Sequence, residues 1–426
     1  MPLYIRKGDI MKKLLSLLLV LLMVFTVAGC SKSNEGGGEE VTETAADANG
    51  DYHIAVSLPF TGTNASYAEY IQMGLEIGLK KLENEGWLNG DGTGKIILDY
   101  YDDKNDATEG ATIAEKVVAS TDPFYLLEIG SFASGVSYPC ATIYRDAEVV
   151  QYALTCSKSD FLPTSGDWGF SLSVTQDTAA ARVAAYDIEY LGYKNIALIY
   201  ENDSWGLETC KYYTETAEKL GVTLLTSEKY DDGQQDFTSI LTKIKETNPE
   251  LVMCFCAEND IVLIRQQAET VGLDCEWQVS SKSRTSNVLQ NLGDLGEGLY
   301  GIYARTKDLK DPVYIEYEEL YKELYAAKFA EDNNTTQKYA DQGYNCMLTV
   351  IWALKNGGVN RQAFRDQLAT LNEFPGVQGA ITFGPGRRVL QTQYLSQIVR
   401  KDGELKWVNY EDILDTFDVD AVAGLK

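Results

Sequence analysis

The chain predicts an α/β fold of two parallel-sheet lobes, and three observations lead there. Short apolar runs alternate with helical stripes in two consecutive series of similar size, which is the grammar of βα units. The stretch 124–145, FYLLEIGSFASGVSYPCATIYR, condenses that grammar. Its apolar run at 124–129 breaks at Gly130 into small hydroxyl residues, and helical periodicity resumes by about Pro139, with Cys140, Ile143, Tyr144 and Ala147 on one face. The third observation is size: 426 residues with 45% hydrophobic content supply cores for roughly two domains.

The elements follow in order. Lys12 and Lys13 precede an apolar run, 14–27, too short for a comfortable membrane span, and the run ends in Val27-Ala28-Gly29-Cys30. This resembles a bacterial lipoprotein signal, with Met11 as the start of the signal, cleavage after Gly29 and a diacylglycerol on the Cys30 sulfur. An uncleaved anchor helix is the other reading, and both place the folded part outside the cytoplasm. Residues 30–50, rich in Gly, Glu and Thr without apolar periodicity, then read as a lipidated cysteine and a flexible tether.

From Tyr52 the alternation begins. Residues 52–58 read as a buried strand, PFTGTNAS as a loop, and Tyr67, Ile71, Leu75, Leu79 and Leu82 as a helical stripe. Strands at 95–101, 124–129 and 149–152 continue the first series, with a helix at 108–120. A helix at 175–191 opens the second series; strands at 196–200, 223–230, 251–256 and 276–280 alternate there with helices at 205–220, 237–247 and 261–272. Residues 298–304 read as a strand returning to the first lobe, 312–329, 339–356 and 361–370 as helices, and 379–383, 395–400 and 405–408 as antiparallel strands.

Composition excludes several classes. With 37 Lys+Arg against 63 Asp+Glu the net charge is −26, which disfavours nucleic acid and anionic lipid as partners. The single histidine, His53, lies in the first strand, so an HExxH zinc pattern is absent and a Ser-His-Asp triad has one badly placed base. Seven cysteines beyond Cys30, with no CxxC, argue against a zinc site or a regular disulfide framework. GEGLYG at 296–301 has GxGxxG spacing but precedes a strand instead of following one, and YDDKNDATEG lacks EF-hand spacing. No metal or cofactor is expected.

In open α/β sheets ligands collect at the carboxyl ends of strands, where helix-start N–H groups lack intrahelical partners and favour anions. Ser131, Ser134 and Ser137 would offer hydroxyls there, which suits a carboxylate; a βα turn capped by serine is the plainer account.

Several phrases together carry a resemblance: SLPFTG at 57–62, YDDKND at 101–106, EIGSFASG at 128–135, YENDSWGLE at 200–208, LIRQQAETVGL at 263–273 and FPGVQGAITFGPG at 374–386. In unbroken order from about Tyr52 to Tyr410 the chain resembles the type I solute-binding proteins of ABC transporters, in the leucine/isoleucine/valine-binding branch. The resemblance implies two Rossmann-like lobes joined by a three-crossover hinge, lobe one at 51–172 plus 303–375 and lobe two at 173–302 plus 376–426. It implies a monomeric, membrane-anchored receptor that closes on a small amino-acid-like solute and hands it to permease subunits, and no catalytic activity.

By the same resemblance Ser134, Thr155 and Ser157 hold a ligand carboxylate, and Tyr67, Trp205 and Tyr339 form an aromatic wall. Ser281 lies in the stretch, Ser280 to Arg284, where the family's amino-acid binders carry an acid for the ligand ammonium; here there is none. Glu258 in CFCAEND is the candidate substitute, or Arg284 points to a second acidic group on the ligand. Two further readings stand beside transport: a sensor with the same pocket, and a hydrolase using Asp203 and Glu258.

Overall fold

Apolar runs covered on both faces become central strands, and alternating ones become edges. The computed structural model describes residues 44–303, 311–332, 336–384, 386–389, 391, 393–410 and 416–425. The expected signal, Cys30 and most of the tether lie outside them.

The first sheet is all parallel, in the order β2-β1-β3-β4-β5. Its strands are β1 (Tyr52–Leu58), β2 (Ile96–Asp102), β3 (Tyr125–Gly130), β4 (Val150–Tyr152) and β5 (Gly169–Phe170). Between them run α1 (Ala65–Asn84), α2 (Ala107–Ala119), α3 (Ser134–Asp146) and the short α4 (Phe161–Ser165). The central β3 is buried at every position, as a strand covered by helices on both faces must be.

After α5 (Gln176–Ala185), which runs on as a π-helical turn, Tyr186–Tyr190, the second sheet has the order β12-β11-β10-β9-β8-β6-β7. β6 (Ile196–Glu201), β7 (Thr226–Tyr230), β8 (Leu251–Phe255), β9 (Glu276–Val279) and β10 (Tyr300–Tyr303) are parallel. The hairpin of β11 (Tyr394–Lys401) and β12 (Glu404–Asn409) adds to β10 antiparallel, as the tail's alternation predicts. β8 is wholly buried, while the edge strand β12 alternates exposed and half-buried residues. The helices are α6 (Ser204–Lys219), α7 (Thr238–Glu246), α8 (Glu258–Val271) and α9 (Ser286–Leu292). Beyond β10 come α10 (Pro312–Glu331), α11 (Lys338–Lys355), α12 (Arg361–Ala369) and, after β12, α13 (Val419–Val422).

Helices α1 and α11 pack tightly in the first lobe because glycines face the crossing. A Cβ at Gly74 would lie 2.0 Å from the Ala340 carbonyl oxygen, and one at Gly343 would lie 2.3 Å from that of Ile71. This contact fixes the first turns of α11 against the middle of α1.

Four expectations are corrected. The helix after β3 starts at Ser134, not near Pro139, and contains Pro139; proline marked a helix start where it lies inside one. The strand expected to return to the first lobe is β10, which pairs with β9 and β11 in the second sheet; a short apolar strand carries no local mark of its sheet. Val377, Ile381, Phe383 and Val389 pack in the first lobe's core, so the passage to the second lobe falls after Val389 and not at 375–376. These residues make only isolated bridges, among them Phe374 with Ile381 and Phe383 with Val389, in place of a strand at 379–383. The seven described cysteines are free. Among the described residues no helix is long and apolar enough to cross a membrane, and no cluster of three or more His, Cys, Asp or Glu side chains could hold a metal.

Candidate ligand-binding cleft

The carboxyl ends of both parallel sheets meet at one cavity of about 110 Å³. Phe132, Ala133 and Ser134 reach it after β3, Thr155 and Ser157 after β4, Asp203 and Trp205 after β6, and Ser280, Ser281 and Lys282 after β9; Lys338 and Tyr339 come from the first turn of α11. Each side chain is placed by the rule that strand ends, not strand interiors, are open to ligand.

One end of the cavity is built by the β3–α3 loop. Ala133 stands at the N-cap of α3, and no side chain caps that helix, so the Ser134 and Gly135 N–H groups at its start are left without a side-chain acceptor beside the cavity. The Ser134 oxygen accepts a hydrogen bond from the Ser157 backbone N–H (3.3 Å), which leaves the Ser134 hydroxyl hydrogen to donate. Thr155 spends its hydroxyl hydrogen on the Phe132 carbonyl, so towards a ligand it can only accept. Ser131 and Ser137 lie behind the loop: Ser131 N–H donates to Ser137 Oγ (3.0 Å), Ser137 Oγ donates back to the Ser131 carbonyl (3.0 Å), and Ser131 Oγ donates to Asp103. They shape the loop and do not line the cavity. Gly130 at φ 147° admits no side chain there, since a Cβ would stand 2.0 Å from the Ser57 carbonyl oxygen. Burial holds Glu128, beside Asp103, well above the usual carboxylate range.

The aromatic wall is layered. Phe132 and Tyr339 line the cavity in edge contact (5.4 Å), and Tyr67 stacks on the far face of Phe132 at 4.6 Å. Tyr67 is therefore one layer behind the wall; its hydroxyl accepts a hydrogen bond from Glu258 N–H (2.9 Å). Trp205 faces the cavity from the second lobe, edge-on to Phe255 at 6.2 Å.

Glu258 does not line the cavity. It is buried at the lobe interface, where Oε1 accepts from Ser66 Oγ of α1 (2.8 Å) and Oε2 is buried without a partner. Its place is a contact that fastens α8 to α1. Arg284 is also elsewhere: its guanidinium lies over Tyr303 (4.0 Å) and Trp407 (5.0 Å) and donates to Asn409.

Asp203, named in the sequence, does line the cavity, but two lysines that reach it were not expected. Lys282 pairs with the buried Glu201 and lies over the Trp205 ring at 4.9 Å. Burial works against the Lys282 charge, but Glu201 and Asp203 more than offset it and hold the ammonium above its ordinary pKa; burial pushes Glu201 up to about 7. Of the pair, the ammonium is the settled charge. Lys338 donates to the Ser281 carbonyl (2.9 Å) across the lobe boundary, and burial, with Arg284 nearby, draws it down to about 7. One signal for Lys338 was present: a cation in the first turn of a helix opposes the dipole preference and asks for another reason to be there. His53 is at neither end of this cavity; it bonds Asp99 at 3.0 Å.

The whole lobed body has relatives. A family model described as periplasmic binding protein matches residues 51–404. The chain is 25% identical over 292 residues to the Leu/Ile/Val-binding protein homolog 1 of Brucella suis, covering 68% of this chain and 76% of that one. It is 25% identical over 309 residues to the leucine-, isoleucine-, valine-, threonine- and alanine-binding protein of Pseudomonas aeruginosa, covering 72% and 78%. The fold is shared with the branched-chain amino acid transporter substrate-binding protein LivJ of Streptococcus pneumoniae in complex with isoleucine, at TM-score 0.73, 19% identity and coverage of 84% and 99%. It is shared equally with a solute-binding protein of R. palustris in complex with benzoate, at TM-score 0.74, 17% identity and coverage of 84% and 95%.

Proposed function

The chain belongs to the periplasmic binding protein family, and from that premise we propose that it is the extracytoplasmic receptor of an ABC importer, capturing an amino acid or similar small carboxylate between two closing lobes. Membership makes it a substrate-binding protein and not an enzyme. The observation that carries the reading is the cavity itself. The uncapped start of α3 and the Ser134 hydroxyl form an anion-binding end, and Trp205 and Tyr339 enclose the body of the solute from opposite lobes. A volume of about 110 Å³, beside the roughly 150 Å³ that holds a benzene ring, fits a compact solute and not a peptide.

The finer assignments rest on the same footing. Ser134, Thr155, Ser157, Trp205, Ser281 and Tyr339 contact the solute, while Tyr67 and Glu258 fasten the closed lobes. Lobe one comprises residues 51–172 with 311–389, and lobe two residues 173–303 with 393–425. The Lys12-Lys13, apolar and Cys30 sequence supports export and a lipid anchor, which would keep a monomeric receptor beside its permease.

The test is calorimetric titration with amino acids, monocarboxylates and dicarboxylates. The expected result is one-to-one binding of a member of the panel, recovered unchanged. Absence of binding by every member, or chemical turnover of the bound one, overturns the assignment. Ser134→Ala and Trp205→Ala should each weaken the best ligand; unchanged affinity in both would place the site elsewhere.

A further inference from the structure

Resting on the receptor reading above, we propose that the solute has two acidic ends, one held by Ser134 and the start of α3, the other by the Lys338 ammonium. Lys338 reaches the cavity with its Nζ on the Ser281 carbonyl (2.9 Å) and over the Tyr339 ring (4.7 Å), and among the described residues no carboxylate pairs with it. A half-buried ammonium resting on a carbonyl gains from an anion brought to it.

The carboxylates nearby are committed. Glu201 pairs with Lys282, Glu258 accepts from Ser66 outside the cavity, and Asp260 accepts from Tyr230 (2.8 Å). Asp203 is the one acidic residue among those lining the cavity, and it caps α6 through Gly206 N–H (2.7 Å) while facing Lys282. An apolar amino acid would bring a third ammonium into a space that already holds two. A second acidic group answers Lys338 and leaves the other pairs intact.

The body of the solute is also specified. Gln176 Oε1 and Gln342 Oε1 belong to lining residues and are buried without a partner. A turn of either amide towards the cavity would bring its oxygen to a hydroxyl or amino hydrogen between the two acids. The class is therefore a small dicarboxylate with a donor between its ends, and hydroxy diacids and acidic amino acids share that chemistry.

Protonation gives an independent handle. Asp203 and Lys282 line the cavity, Glu201 pairs with Lys282, and Arg284 and Glu258 stand outside it. Lys338 is drawn down to about 7 by burial and Arg284, so a second carboxylate binds best where the amine is protonated. Affinity for a diacid should fall roughly tenfold from pH 6 to pH 8, with proton uptake at the higher pH.

Titration with succinate, malate, aspartate, butyrate and leucine tests this. Malate or aspartate should bind at least about tenfold more tightly than butyrate and leucine. Lys338→Met should collapse that ratio to about one, Lys338→Arg should keep most of it, and both variants should melt like the parent without ligand. Leucine outbinding the diacids, or a diacid preference that survives Lys338→Met, overturns the inference and leaves the receptor reading standing. A pH-independent diacid affinity overturns the role of Lys338. Failure of all five ligands overturns both.

Discussion

Gly74→Ala tests the packing that places the cavity's α11 residues. The new Cβ would stand 2.0 Å from the Ala340 carbonyl oxygen, 2.8 Å from its carbon and 2.7 Å from Tyr344 N. All three are backbone atoms, so no rotamer relieves the contact, and α11 must retreat by about 1.4 Å to restore an ordinary separation of roughly 3.4 Å. Overpacking costs about 1–3 kcal/mol, and with only backbone atoms to yield the cost here falls in the upper part, about 2–3 kcal/mol, against a gain of about 1 kcal/mol for replacing a mid-helix glycine by alanine. The net expectation is destabilisation of roughly 1–2 kcal/mol, read as a lower urea midpoint by circular dichroism. Gly343→Ala strikes the same crossing from the other side, 2.3 Å from the Ile71 carbonyl oxygen. Once one alanine has parted the helices, the second meets less resistance, so the double variant should lose at least about 0.5 kcal/mol less than the two single losses added. Ligand affinity should fall as well, because Lys338 and Tyr339 ride on the displaced turn. A variant as stable as the parent or more so, as helix propensity alone would give, refutes the reasoning.

Asp187 is buried, accepts from Tyr213 (2.6 Å), and is pushed up by burial to about 7 from its ordinary 3.8. A folded-state pKa above the unfolded one means stability that is full below pH 4 and lost as pH rises to 7. Asp187→Asn should therefore be the more stable form at pH 8, by up to about 4 kcal/mol, and a parent-to-variant difference that does not move between pH 4 and 8 contradicts this. Ser66→Ala removes the hydroxyl from Glu258 Oε1 (2.8 Å) and leaves a buried carboxylate unpaired only when the lobes close. Ligand affinity should drop roughly tenfold or more with an unchanged ligand-free melting temperature; equal affinity would show that the contact does not fasten closure. Trp205→Ala should weaken binding by about thirtyfold or more, mainly through faster dissociation in stopped-flow fluorescence, and a change confined to association would count against its place as a wall.

The lobes were legible because their central strands are continuous apolar runs; β3 and β8 can be nothing but interior strands of covered sheets. What was not legible is non-local. Four apolar residues at 300–303 do not say which sheet they join, and hydrophobic positions at 377–389 do not say whose core they fill. In the site, Ser134, Thr155, Ser157, Trp205, Ser281 and Tyr339 all reach the cavity because each follows a strand end or starts a helix, and that position is written in the local pattern. Tyr67 and Glu258 sit at equally promising strand and helix ends, yet one layer back. Whether a side chain ends in the cavity or in the seam beside it depends on how the two lobes meet, which no local pattern encodes. Lys282 and Lys338 were missed for the same reason: a lysine in a loop or helix start reads as solvated until its partner, or its lack of one, is seen.

On the receptor reading proposed above, the division of charges between seam and cavity lets the solute bias closure. Polar contacts across the seam include Ser66 with Glu258, Tyr67 with the Glu258 N–H, Thr63 with Asp232 (3.2 Å), Lys158 with Glu208 (3.2 Å) and Lys338 with the Ser281 carbonyl (2.9 Å). Each exchanges water for a protein partner and so contributes little net free energy, of order 1 kcal/mol or less. The seam also buries Glu258 Oε2 unpaired, a cost that opposes closure. Closure without a solute is thus near balance, and the bias must come from groups that meet only when one is present. The anion-binding turn of α3 and Lys338 belong to the first lobe and can seat the solute before any movement. Trp205 and Lys282 belong to the second, and their contact with the seated solute exists only in the closed form. A ligand shifts a two-state equilibrium by its differential affinity alone, and here that difference resides in the second lobe's wall, while affinity for the open form resides in the first lobe's anchors.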